Sequence, residues 1–126
     1  MEVFKSSKVV PFTLQENLET NHLGYTREFD HHVRINNLGY RGKDIQEQKP
    51  DGVFRILVLG DSMTFGWGVE DEQTFPALVE KYLNELEPSK QIEVVNAGFK
   101  DGYSPDSYYA FMVDEGVKLQ PDLVIL

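Results

Sequence analysis

Cysteine is absent from the 126 residues, which excludes disulfides, thiolate nucleophiles and zinc–sulfur sites. Long apolar runs are missing as well. The stretch Ile56 to Leu59 is typical of what there is, and it is far shorter than a membrane span. The N-terminus, Met1 to Val10, mixes Glu2, Lys5 and Lys8 with Val and Phe and lacks the apolar segment of a secretory signal. As given, the chain reads as cytoplasmic, a placement that an export signal removed upstream would change. Basic residues are scarce: 12 Lys and Arg stand against 21 Asp and Glu, for a net charge of −9. Such a chain repels phosphate backbones, so nucleic acid is not an expected partner. The one loose basic cluster, Arg27, Arg34, Arg41 and Lys43, reads as a solvated face. Histidine is limited to His22, His31 and His32, all in the first quarter. Asp30-His31-His32 lacks the ligand spacing of a metal site, and no cofactor is expected. Each histidine reads as a surface or packing residue.

Against these absences, 40% of the residues are hydrophobic and 26% charged, an ordinary globular balance for one core. Residues 1–50 hold short extended pieces and turn residues. Tyr25 to Phe29 and Val33 to Ile35 are the strand candidates, and the segment predicts a small β arm. Pro50-Asp51-Gly52 marks a boundary before a domain over 51–126. From Val53 the pattern becomes strand, helix, strand, helix, strand. Val53 to Leu59 is nearly continuously apolar and branched, as a strand buried on both faces of a parallel sheet would be. A glycine-bearing loop through Val69 follows. Phe75, Leu78, Val79, Tyr82, Leu83 and Leu86 then form one apolar stripe on a helix, with Pro76 at its first helical position and Pro88 ending it. Ile92 to Asn96 is the second strand, and Ala97 to Ser104 a loop with Gly98 and Gly102. Ser104-Pro105 starts a second helix, and Leu123 to Leu126 is the third strand. The βαβαβ order calls for a parallel sheet whose sites lie at the carboxyl ends of the strands, where strand order reverses.

Gly60-Asp61-Ser62 falls at the first of those ends. The tripeptide is by itself a common turn. Its position at a strand-to-helix corner would let Ser62 attack a carbonyl once a base takes its proton, with Asp61 ordering the turn. Gly102 could present its amide to the same crevice, while Gly98 and Gly102 fit a plain tight turn equally well. Trp67 reads as packing, as do Tyr103, Tyr108 and Tyr109, and Glu70-Asp71-Glu72 as a solvated acidic run ahead of a helix. A phosphate-binding role is disfavoured: no Walker lysine follows the glycines, and no second acidic cluster is placed to hold Mg²⁺.

The run Arg55-Ile56-Leu57-Val58-Leu59-Gly60-Asp61-Ser62-Met63-Thr64-Phe65-Gly66 resembles the first block of the SGNH (GDSL-type) hydrolases. Val94 to Gly98 through Gly102-Tyr103-Ser104 resembles the second block, and Pro121 to Leu126 the strand leading into the third. Ile35 to Gly42 is similar to a segment often found just upstream. The resemblance covers about residues 35 to 126. It implies a flavodoxin-like three-layer α/β/α fold with a parallel sheet, of which this chain holds the first half behind its β arm. It also implies a serine esterase acting on small-molecule, glycan or lipid esters without metal. Ser62 would be the nucleophile. The oxyanion hole would comprise the amides of Ser62 and Gly102, with Gly98 as the alternative because the second loop is one residue longer than usual, and Gly60, Asp61 and Asn96 would support it. The remaining blocks, an asparagine and an Asp-x-x-His base, would follow Leu126. The competing expectation is a catalytically incomplete or interaction module that self-associates through the exposed sheet edge.

Overall fold

The computed structural model describes residues 3–22 and 30–126. Its centre is the apolar run foreseen above, now strand β5 (Val53–Gly60). It pairs in parallel with β6 (Gln91–Gly98) on one side, from Val53 opposite Gln91 to Gly60 opposite Gly98. On the other side it pairs with β7 (Leu123–Ile125). The order β6-β5-β7 makes β5 the strand at which the chain reverses its direction of travel across the sheet.

Two helices cover the two faces. Side chains alternate along β5, so Leu57 and Leu59 face one way and Ile56 and Val58 the other. Leu57 and Leu59 join Val95, Ala97, Phe111 and Leu119 in one core, against α3 (Pro105–Asp114). Ile56 and Val58 join Ile92, with Leu83 of α2 (Phe75–Leu86) packed on them. The molecule is therefore a mixed α/β structure with a three-stranded parallel sheet between helices, compatible with a flavodoxin-like order. Both helix starts follow local rules. Thr74 caps α2 by accepting from the Ala77 amide at 3.4 Å, with Pro76 in the first turn. Ser104 and Ser107 form a reciprocal capping box on α3.

The expected stripe on α2 is only partly inward. Leu83 packs, but Phe75, Tyr82 and Leu86 are exposed. Two polar residues face the sheet instead. Asn84 Nδ2 donates to the Ile92 carbonyl at 2.8 Å, and its Oδ1 accepts from the Ile92 amide at 3.0 Å. Glu80 accepts from the Val94 amide at 2.7 Å. The physical reason is that β6 is an edge strand. Its outward backbone groups need partners, and α2 supplies them.

Residues from both sides of Pro50-Asp51-Gly52 share one core: Val10, Tyr40 and Ile45 pack with the Leu57 cluster. The N-terminal strands are short. β1 (Phe4–Lys5) pairs with β2 (Thr13–Leu14), and β3 (Leu18–His22) with β4 (His31–Ile35), both antiparallel. The expected strand at Val33 to Ile35 lies in β4. The one at Tyr25 to Phe29 lies outside the described residues, as does Arg27. Leu14, Leu18, Val33 and Ile35 close over Phe65 in a second core.

The reading of Arg41 as part of a solvated face is corrected here. Its side chain is 1% exposed. The strand-like backbone of Arg41 bridges Ile35 and the outer edge of β6, donating to the Asn96 carbonyl at 3.2 Å. Its guanidinium donates to Asp71 (2.8 Å) and to the carbonyls of Phe65 (2.8 Å), Gly66 (2.6 Å), Val69 (2.6 Å) and His32 (3.3 Å). Such a fork can leave water because every donor finds an acceptor. Asp71 and Glu70 are likewise not merely solvated: they accept from the amides of Arg34 and His32. Lys43, exposed as expected, pairs with Glu80. A second buried guanidinium, Arg55 on β5, binds Glu93 at 2.6 Å and the carbonyls of Gln46, Glu47 and Leu119.

Removing one partner from such a network leaves the others buried and unpaired. Arg41→Ala is expected to lower the unfolding free energy by about 3–5 kcal/mol, read from urea denaturation at constant m-value. Arg41→Lys should recover little, since an ammonium cannot reach this spread of carbonyls. A loss below about 1 kcal/mol for the alanine variant would put the arm's attachment elsewhere.

Candidate active site

The segment after β5 is not the open loop expected from its glycines. Ser62–Phe65 form a short helix, α1, ended by Gly66 in the left-handed conformation. Asp61 is its N-cap, with Oδ1 accepting from the Met63 amide at 2.9 Å. Ser62 therefore stands at the first helical position, immediately beyond the carboxyl end of the central strand. Its hydroxyl is partly exposed and makes no hydrogen bond among the described residues. At that position its amide has no acceptor within the helix.

The corner seats on the sheet through absent side chains. A Cβ on Gly98 would lie 2.1 Å from the Phe65 nitrogen, and one on Gly60 2.1 Å from Thr64 Oγ1. These two glycines are register partners at the ends of β5 and β6, and together they let α1 lie directly on the strand ends. Gly98 is thus accounted for by close approach, and its amide donates to Asn96 Oδ1 at 3.0 Å. Asn96 is buried and its Nδ2 lies 3.5 Å from the Phe65 carbonyl, so this side chain props the same corner from below.

The second turn runs from Phe99 to Gly102 and leans on the first. Phe99 takes φ +60°, unusual for a residue with a bulky side chain. Its amide donates to the Gly60 carbonyl at 2.9 Å, and its ring packs among Phe4, Phe12, Phe65 and Trp67 at 5.3–6.4 Å between centroids. Surroundings of that kind hold a strained backbone in place. Gly102 sits at φ +84°, where a Cβ would also press on Ser107 Oγ at 2.8 Å. Its amide points to the Phe99 carbonyl over a long 3.4 Å.

Between them lies the residue that sequence reasoning missed. Asp101 is 0% exposed. Its Oδ2 accepts from the Gly60 amide at 3.3 Å, and its Oδ1 has no partner among the described residues. Burial pushes its pKa up to about 8, with the nearby Asp61 carboxylate acting in the same direction against the Gly60 hydrogen bond. A single aspartate between Lys100 and Gly102 carries no pattern of its own; only the extra residue in this loop hinted at it.

The aromatic side chains divide. Tyr103 and Tyr109, expected to pack, are 57% and 74% exposed, because the helix start turns Tyr103 outward and α3 faces the sheet through Tyr108, Phe111 and Met112. Tyr103 stacks on Phe12 at 5.6 Å. Trp67 lies at the rim, tilted over Phe65 at 6.3 Å. An apolar groove of about 240 Å³ runs beside the carboxyl ends of β5 and β7, lined by Leu59, Tyr108, Met112 and Val124 among others. Of the histidines, His31 is buried in β4, and His32 Nδ1 lies 3.6 Å from Asp71. A second cavity, of about 300 Å³, opens between α2, Arg41 and the β6 edge, away from the Ser62 corner. No group of metal-binding side chains gathers among the described residues, and no helix there is long and apolar enough to cross a membrane.

Comparison with protein-family models, curated proteins and solved structures returns no match.

The raised pKa of Asp101 has a direct consequence for stability. A carboxyl whose folded pKa lies above its unfolded value favours the folded state while it is protonated in the fold, and that contribution is lost as pH rises towards about 8. Asp101→Asn is expected to match the wild type near pH 4 and to exceed it increasingly as pH rises, by about 5 kcal/mol above pH 8. Denaturation across this range checks it; parallel pH profiles for the two proteins would show that Asp101 is ionised in the fold.

Proposed function

We propose that this chain carries the nucleophile of a serine ester hydrolase with a flavodoxin-like α/β/α fold, as its resemblance to the SGNH hydrolases implies. The observation that carries the reading is the position of Ser62. It opens α1 at the carboxyl end of the central strand, at the point where sheet order reverses, with a hydroxyl that no neighbour holds among the described residues. In this reading Oγ attacks an ester carbonyl while a base takes its proton. The Ser62 amide, with that of Gly102, steadies the oxyanion; Gly102 must first give up its long bond to Phe99. The alcohol leaves with the proton, and water then attacks the acyl-serine to release the acid. The base belongs to the Asp-x-x-His block that the resemblance expects after Leu126. The apolar groove beside Leu59 suits a short acyl group. No metal or cofactor is called upon.

A second reading has its own observation. Among the described residues β7 pairs only with β5, and Leu123, Val124, Ile125 and Leu126 are all exposed. An open, apolar edge strand is a template for pairing with another chain, which suits an interaction module that self-associates.

In the full natural chain, Ser62→Ala should lower turnover of p-nitrophenyl acetate by about 10³-fold or more and abolish labelling by a fluorophosphonate. Undiminished hydrolysis by the variant would remove Ser62 from the chemistry. For the second reading, sedimentation velocity of residues 1–126 should show concentration-dependent association that Val124→Lys reverses; a monomer at every concentration would exclude it.

A further inference from the structure

Tyr40 fastens the arm to the main core. Its ring meets Phe111 edge to face at 6.3 Å and carries the Lys100 ammonium 5.3 Å from its centre. The residue is 3% exposed. Its backbone is paired with Asn36 in both directions, but its hydroxyl has no hydrogen-bond partner among the described residues. A tyrosine hydroxyl this deep ordinarily has one. Tyr40 lines a cavity of about 170 Å³ between the arm and the end of α3. Burial, then the charges of Glu115, Asp101 and Glu47, keep its proton on well above the ordinary tyrosine range. Glu115 and Glu47 stand in the wall of this same cavity, so this is the space that the hydroxyl faces. Asp114 adds a third carboxylate to the wall, and Leu38 and Leu119 an apolar flank. The wall is held in place: Arg55 binds the carbonyls of Glu47 at 3.0 Å and Leu119 at 2.8 Å, and the Glu115 amide closes α3 on the Phe111 carbonyl at 2.8 Å.

We propose that this cavity is a binding site for a primary alkylammonium ion, whose N–H donors meet the Tyr40 hydroxyl at the base and the Glu47, Asp114 and Glu115 carboxylates around it, with the alkyl stem against Leu38 and Leu119. An ammonium brings three donors and no acceptor, which suits a lining of one hydroxyl and three carboxylates. The cations already nearby do not fill the place. Arg55 is paired with Glu93 at 2.6 Å, and Lys100 reaches Glu115 at 3.3 Å from the far side of the Tyr40 ring. Lys118, the one cation in the lining, is exposed. The last turn of α3 has no basic side chain, so the negative end of that helix adds to the attraction. The volume is below the roughly 300–1,000 Å³ of sites for drug-sized ligands, and it fits a headgroup with a short stem. The net charge of −9 favours the encounter. The site is separate from the Ser62 corner and independent of the reading of Ser62 as nucleophile.

Titration of the full natural chain with n-butylammonium chloride at constant ionic strength, followed by amide NMR shifts, tests the site. Saturable shifts are expected at Leu38, Tyr40, Glu47 and the stretch Asp114 to Leu119. Tetramethylammonium has the charge without N–H donors, and n-butanol the stem without the charge; each should bind weaker by about tenfold or more. Tyr40→Phe keeps the ring on Phe111 and removes the hydroxyl, and it should weaken n-butylammonium about tenfold. Glu47→Gln, at the exposed rim, should weaken it about threefold. Asp51→Asn makes the same change of net charge away from the cavity and should leave the affinity as it is. Shifts that never saturate, or that scatter over the acidic surface, overturn the proposal. So does tetramethylammonium binding as tightly as n-butylammonium, or an equal effect of Glu47→Gln and Asp51→Asn. Unchanged affinity in Tyr40→Phe overturns it as well; should that variant not fold, the ligand series and the two surface variants still decide.

Discussion

The guanidinium of Arg41 is the interaction on which the rest of the molecule depends. A charge with 1% of its side chain exposed is tolerable only where every donor is met, and here the acceptors come from different parts of the chain. They are a carbonyl of β4, three carbonyls around the end of α1, and Asp71 ahead of α2. These segments span residues 32 to 71 and belong to different elements. The fork holds them at fixed mutual distances, and the backbone of the same residue ties them to the edge of β6. Arg55 does the equivalent at the other end of β5, drawing in the stretch at Gln46 and Glu47 and the turn at Leu119. The irregular third of the molecule is thus organised around two planar cations, where a larger sheet would use more strands.

The Ser62 corner inherits its rigidity from this arrangement. Phe65 and Gly66 turn their carbonyls to Arg41, so α1 is fixed at its far end, while Gly60 and Gly98 allow its near end to lie on the strands. The Phe99–Gly102 turn completes the support from the opposite side, with Phe99 held in a strained conformation by its aromatic neighbours. The one soft component in this setting is the Asp101 carboxyl, whose hydrogen bonding is incomplete.

What the sequence disclosed, and what it hid, follow from the range of each signal. The strands, read at 53–59 and 92–96 and found at 53–60 and 91–98, and the helix start at Ser104 were legible because the forces involved act within a few residues: apolar continuity, a capping side chain, a proline just inside the helix. The inward face of α2 was not, because Glu80 and Asn84 point at the sheet only once β6 is known to be an edge. Arg41 looked like one of several scattered charges, and its acceptors are mostly backbone carbonyls, which no side-chain pattern announces. The strand Leu18–His22 carries no apolar alternation and is held by its partner β4. Ser62 was legible as a position at a strand end, whereas Asp101 gains meaning only from the backbone it meets.

The core that unites Val10, Tyr40 and Ile45 with Phe111 and Leu119 also has a consequence for synthesis. The ribosome releases the arm first, yet the surfaces that bury it are among the last to be made. Until β6 and α3 have emerged, those apolar residues lack Val95, Ala97, Phe111 and Leu119, and the Arg41 amide lacks the Asn96 carbonyl. The arm's share of this core is completed only once those later elements are in place, so residues made early wait for partners made late.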